Sequence, residues 1–398
     1  MKKVFVLLLL ITTCTTKQNK NQEVSAIDIV KEDSIKIVSD SVISVIPVVK
    51  VEANDSLNCI AQLISGQYNG SLYLNVTENK SYKNFSEKFS KRWANFDSSR
   101  IQKLKKFSEN ELNNEIIKQT TLFYPFSGPD ILYANLFFPD VEKYILIGLE
   151  PVGTLPDFKL QEGDSLKQYY EKLNTSLNAI LKFSFFRTES MRKDLKNQEV
   201  DGTIHLLFLF LSKTGNGLIS AKPISIDSLG NKEYVSSFKE LKLSKYKSKG
   251  VEIVFMSPEN KIKELNYYSL NLIDDALERD KGFTAYLENL KNFNAYLKGA
   301  SYLLHKSYFS FVRNIILNNA NTIVQDDSGI ALRYFTKSKR AWDFKLYGEY
   351  TKPVSLFRNA YQKNLDTLYK KNGATPLGFG IGYNFKDKNS NLMIVKRK

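Results

Sequence analysis

The chain has 398 residues, 42% of them hydrophobic, and 57 Lys and Arg outweigh 42 Asp and Glu to give a formal net charge of +15. Two cysteines, Cys14 and Cys59, are too few for a disulfide-built scaffold or a cysteine zinc site. The positive charge is mostly lysine scattered among asparagine and serine, not the concentrated stripe of a nucleic-acid surface, so no nucleic-acid partner is expected.

The chain opens with Lys2 and Lys3, an apolar core from Val4 to Ile11, and Thr12-Thr13-Cys14. A basic head followed by a short apolar core directs export. The apolar core is well short of the roughly 20 residues that cross a bilayer. With cysteine at its end, the segment resembles the signal peptide of bacterial lipoproteins. That resemblance implies removal of the signal, lipidation of Cys14 (palmitate among the acyl groups) and a mature chain held on an envelope membrane, facing outside the cytoplasm. Residues 15–50 read as a tether, polar at first and then with short valine and isoleucine stretches. Cys59, within Leu57-Asn58-Cys59-Ile60-Ala61, reads as a packed, inert thiol.

From residue 51 the periodicities predict an α+β body, a mixed or antiparallel sheet packed with helices. Ser71 to Glu78 reads as a strand, then Phe85 to Trp93 and Ile101 to Ile117 as helices. Asp130 is placed to cap a short helix from Ile131 to Phe137. Tyr144 to Gly153 reads as a strand stopped by Pro151, Ser165 to Phe183 as a helix, and Glu189 to Leu195 as a short helix. The stretch from Thr203 to Ile226 reads as two strands joined at Thr214-Gly215-Asn216-Gly217. Val251 to Met256 and Leu265 to Leu272 form a further strand pair. Helices are expected at Phe283 to Leu290, Tyr296 to His305, Phe309 to Asn318 and Ser355 to Tyr369. Short strands are expected at Ala331 to Phe335 and Phe344 to Tyr350. Because single cores rarely grow past roughly 250–300 residues, two associated lobes are expected, 51–245 and 246–398.

Three stretches carry groups able to do chemistry. In Phe123 to Asp140, Tyr124 and Asp130 sit among turn residues and aromatics, where they either build a capped core or face a ligand. In Gly148 to Gly153, Glu150 ends an apolar strand, where a carboxylate must be exposed, paired or functional; Arg187 is a partner within reach of the sequence. In Gln325 to Phe335, the adjacent Asp326 and Asp327 form either a solvated capping turn or a site. In the second case one serves as general acid or base and Arg333 binds ligand. Tyr347 belongs to a carboxyl-terminal aromatic run that either fills the core or lines a groove.

Absences narrow the field. His205 and His305 are the sole histidines, and no HExxH pattern or cysteine cluster supports a metal. There is no phosphate-cradling loop and no GxSxG elbow, and no cofactor is implied. The glycines of Gly378 to Tyr383 fit a bulged edge strand or tight backbone packing.

Two motif groups, SGPDILYANLFFPD with YILIGLEPVG, and ASYLLHK with QDDSGIALRYF and YGEY, resemble an uncharacterised family of bacterial envelope lipoproteins. The resemblance implies an ordered domain and assigns no activity. The function expected is binding of a glycan, a cell-wall fragment or an envelope protein, in a groove of Tyr124, Asp130, Asp327 and Tyr347. The alternative is hydrolysis of an envelope polymer, with Asp326 or Asp327 as base and Glu150 as acid.

Overall fold

The computed structural model describes residues 52–113, 115–116, 121–183, 200–338, 340–353, 355–384 and 390–398. In chain order these form α1 (Asp55–Ile64), α2 (Leu74–Thr77), α3 (Lys80–Phe96), α4 (Gln102–Phe107), β1 (Thr121–Tyr124), α5 (Ile131–Phe137) and β2 (Lys143–Gly148). There follow α6 (Gly163–Phe183), α7 (Ile204–Lys213), β3 (Gly217–Ile226), β4 (Lys232–Tyr234), α8 (Phe238–Leu243), β5 (Lys249–Met256) and β6 (Ile262–Ser269). The remainder is α9 (Asp274–Arg279), α10 (Lys281–Asn289), β7 (Phe293–Leu297), a 3-10 turn (Gly299–His305), α11 (Ser310–Asn319), β8 (Ala320–Gln325), α12 (Leu332–Lys337), β9 (Trp342–Gly348), α13 (Lys363–Asn372) and β10 (Asn391–Arg397).

The strands make one sheet in the order β4-β3-β5-β6-β2-β1-β7-β8-β10-β9. Its centre, β6-β2-β1-β7-β8, is parallel throughout. Antiparallel strands extend both sides, β5, β3 and β4 beyond β6, and β10 and β9 beyond β8. From β1 the chain first builds toward β2 and β6, then returns to lay β7 and β8 on the opposite side. The order therefore reverses between β1 and β7, which is where doubly wound sheets open a crevice.

Strand periodicity divides the core. Leu122, Tyr124, Tyr144 and Leu146 face one apolar layer with α1 and α3 to α7, and Phe123, Ile145 and Ile147 face a second layer with α9 to α13. The fold is thus mixed α/β, with helices packed on both faces of a mixed sheet. Both sides of the expected 245/246 boundary feed that sheet: β3 pairs with β5 and β2 with β6. Val51–Lys398 accordingly forms one compact unit, not two lobes.

Several elements differ from expectation. Ile204–Lys213 is a helix, buried from Ile204 to Leu211. A helix apolar on all sides has no polar stripe, so its sequence reads equally well as a buried strand. In 71–78 the buried residues are Tyr73 and Val76, three apart, which suits the short α2 and not a strand. Leu332–Lys337 is helical and turns Phe335 inward. The segment expected as one helix from Tyr296 divides instead: β7 ends at Leu297, and Gly299, at φ +64°, starts the 3-10 turn. Ser355 to Tyr369 likewise splits into a 3-10 turn, Ser355–Ala360, and α13. The helix expected at 189–195 lies outside the described residues.

Candidate functional site

Asp130, Glu150, Lys298, Asp326 and Asp327 follow the carboxyl ends of the central strands. The turn after β1 is folded back onto β2: Ser127 donates its backbone N–H to the Ile147 carbonyl at 2.8 Å. Phe126 and Gly128 both take positive φ, 59° and 55°, to make that turn. Asp130 then caps α5, its carboxylate accepting the Tyr133 N–H at 3.2 Å.

Asp130 also accepts the Tyr124 hydroxyl at 2.9 Å and meets Lys298 Nζ at 2.8 Å. Lys298 follows β7, and its ammonium lies 3.6 Å from the centroid of the Tyr133 ring. The Lys298 and Asp130 side chains are 0% and 1% exposed. Burial pushes Asp130 up and Lys298 down, each opposed by the other's charge.

Asp326 and Asp327 follow β8 and are also buried. Asp326 accepts the Ser328 N–H at 2.9 Å, the Ser328 hydroxyl, and the Gly299 N–H at 3.3 Å. Asp327 accepts the Tyr302 hydroxyl and, at 2.9 Å, the Asn391 amide. Burial, then the neighbouring Asp327, pushes Asp326 up to about 7; burial also raises Asp327, opposed by the bonds from Tyr302 and Asn391. Gly382 packs on Asp326 so closely that a side chain there would overlap its carboxylate. The glycines of Gly378 to Tyr383 thus include one held by tight packing.

A cavity at this end borders the 3-10 turn, which contributes Ala300 and Leu303 to its lining. Phe126, Gly128, Glu150, Leu270, Leu303 and Phe309 are among its walls. It is narrow, about 60 Å³, and Phe126 leans edge-on against Phe309 with ring centres 5.6 Å apart. Glu150 is buried and lines it, just beyond β2. Gly148 is what gives the carboxylate room: a Cβ there would sit 2.5 Å from Glu150 Oε2, 2.7 Å from the Tyr267 hydroxyl and 2.8 Å from Gly128 Cα. Tyr267 donates to the Glu150 carbonyl at 2.8 Å.

The expected groove of Tyr124, Asp130, Asp327 and Tyr347 is not an open surface, because all four residues are buried. Tyr347, on β9, gives its hydroxyl to Glu111 at 2.7 Å, alongside Lys345. Of the two alternatives for Tyr124 and Tyr347, core or ligand surface, the structure has the core. Arg333 is exposed on α12 and donates to the His305 carbonyl at 3.0 Å. Glu150 faces the cavity, whereas Asp326 and Asp327 are not among its walls. Arg187 and Cys14 lie outside the described residues. Lys298 was not foreseen, although a lysine between the apolar Tyr296-Leu297 and Gly299-Ala300 is the same kind of signal as Glu150.

No group of three or more His, Cys, Asp or Glu among the described residues is arranged to hold a metal ion, and no helix among them is long and apolar enough to cross a membrane. No protein-family model and no curated protein matches the chain.

Proposed function

We propose that this chain is a lipid-anchored envelope protein that binds a small ligand carrying a vicinal diol, with Glu150 accepting the hydroxyls. The observation that carries the reading is the carboxylate of Glu150, lining a cavity at the carboxyl end of β2 and across Gly148 from the β1 turn. In doubly wound sheets a carboxylate at this place receives the ribose hydroxyls of a nucleotide. A nucleoside is therefore the favoured ligand class, its flat base lying against Leu270 and Phe309.

The surrounding charges set the rest of the ligand. The N-terminus of α5, which would otherwise attract phosphate, is capped by Asp130. Lys298 is neutralised by the same carboxylate. These groups favour a nucleoside with a neutral or cationic 5′ substituent over one with phosphate. The narrow cavity requires Phe126 and Phe309 to part when ligand enters.

A second reading, binding of an envelope sugar, rests on the same diol chemistry and aromatic wall. Paired-carboxylate hydrolysis has less support, since the Asp326 and Asp327 carboxylates are engaged by internal donors. Calorimetry with adenosine, AMP, NAD and S-adenosylmethionine, beside glucose and N-acetylglucosamine, separates these cases. Binding of adenosine or the sulfonium compound, weaker binding of AMP, and loss in Glu150→Gln support the nucleoside reading. Binding of sugars alone moves the assignment to the second reading, and no binding in the panel removes both. Mass spectrometry of the mature N-terminus tests lipidation at Cys14 independently.

A further inference from the structure

A second concavity lies away from the strand ends, between α3 and α6. It is an open groove of about 470 Å³. Its floor is aromatic: Phe85 stacks on Tyr170 with ring centres 4.8 Å apart. Exposed Lys80 and Lys88 stand on the α3 side and Lys167 on the α6 side, against one acid, Glu171. Asn84 adds an amide able to bond hydroxyls.

The spacing of the lysines restricts the occupant. Lys80 and Lys88 are about 12 Å apart along the helix axis at 1.5 Å per residue. That separation leaves each lysine room for an anionic group of its own, which a chain with repeated negative charges supplies. Hydroxyl-bonding amides and an apolar aromatic floor suit sugar rings, whose C–H faces pack on aromatic rings while their rims bond polar groups.

We propose that the groove between α3 and α6 binds an acidic oligosaccharide carrying at least two anionic groups. The site is separate from the cavity at Glu150 and does not depend on the reading given to it. Electrostatic attraction to lysines on an open surface weakens with salt, so binding should fall as ionic strength rises.

The test uses the polypeptide from Thr15 to Lys398 and oligogalacturonate of six residues, titrated calorimetrically at low and at physiological salt. Saturable, salt-sensitive binding is expected, with affinity at least tenfold lower in Lys80→Gln/Lys88→Gln. The exposed pair Lys103→Gln/Lys106→Gln should leave affinity unchanged, as should Glu150→Gln. Equal loss in the two lysine pairs would overturn the proposal in favour of diffuse charge. Equal binding of neutral cellohexaose, equal binding of inorganic phosphate, or no binding of the acidic hexamer would also overturn it.

Discussion

Lys298 Nζ and Asp130 Oδ2 meet at 2.8 Å, both side chains fully or almost fully buried. The pair fastens the end of β7 to the start of α5, across the point where the strand order reverses. Removing Lys298 takes the counter-charge from the buried Asp130 carboxylate, which keeps the Tyr124 hydroxyl and Tyr133 N–H; breaking a buried pair in this way typically costs about 3–5 kcal/mol. Lys298→Met should therefore lower stability by roughly that amount in urea unfolding. The double variant Lys298→Met/Asp130→Asn should recover part of the loss, because the orphaned charge is gone. Equal stability of the single and double variants would show that the charge pairing is not what matters.

Gly148 sets the shape of the cavity. Gly148→Ala would place a methyl against Glu150, Tyr267 and the backbone of Gly128 at once. All three lie closer than a methyl tolerates, so the Glu150 carboxylate, the Tyr267 hydroxyl and the Gly128 turn must all shift. Overpacking of this kind costs about 1–3 kcal/mol. Ligand binding should drop at least as far as in Glu150→Gln, while far-ultraviolet circular dichroism stays unchanged. Full binding in Gly148→Ala would place the ligand elsewhere.

Phe126 and Phe309 narrow the same cavity from the other side. Phe309→Leu should widen the cavity without removing its apolar wall. Faster association of ligand in stopped-flow fluorescence is expected, with a stability loss of roughly 1 kcal/mol from the smaller side chain. A rate unchanged by this substitution would mean the ring pair does not limit access.

What the sequence disclosed follows from how local each signal is. Asp130 before Ile131 is a local cap, and the structure contains it as read. Glu150 after Tyr144 to Ile147 is a carboxylate at the end of an apolar run, and it reaches the cavity at the strand's end. By contrast, α7 owes its form to packing on every side, which its own residues do not encode. β7 and β8, at five and six residues, are too short to show a period, and their pairing partners are distant in the chain. Asp326 and Asp327 read from the sequence as either a solvated capping turn or a site, and the sequence alone does not show that they are buried. Their donors, Gly299, Tyr302 and Asn391, come from other elements and are brought together by the sheet.

The two histidines make the fold sensitive to acid. Burial pushes both His205 and His305 down to about 4. His205 Nδ1 pairs with the Tyr169 hydroxyl at 3.0 Å, and His305 Nε2 donates to the Gly329 carbonyl at 2.9 Å. An unfolded histidine titrates near 6.5, so between about 6.5 and 4 the unfolded chain binds more protons than the folded one. Their contribution is complete above 6.5 and is lost as pH falls toward 4. Urea midpoints should decline across this window. His205→Gln, which offers Tyr169 both a donor and an acceptor, should make the decline shallower than in the parent, since one of the two depressed histidines is removed. An unchanged slope would show that His205 does not titrate on unfolding.

Asp326 works in the opposite sense. Its folded value, raised to about 7 by burial and by Asp327, stands above the ordinary value of 3.8. The folded chain therefore binds the extra proton between about 4 and 7, and this contribution declines as pH rises through that range. It runs against the histidines, so the parent curve alone does not isolate it. The difference between parent and Asp326→Asn reports it together with the change in Asp327, which loses its neighbouring carboxylate in the variant. Asparagine keeps an oxygen for the Ser328 N–H but removes the titrating proton, at the cost of an amide facing the Gly299 N–H. The parent should lose stability relative to Asp326→Asn as pH rises from about 4 to 7, and the difference should level off above 7. A difference that is flat across this range would mean that Asp326 is already ionised in the folded protein at pH 4, with the Ser328 and Gly299 donors outweighing the burial that opposes its charge.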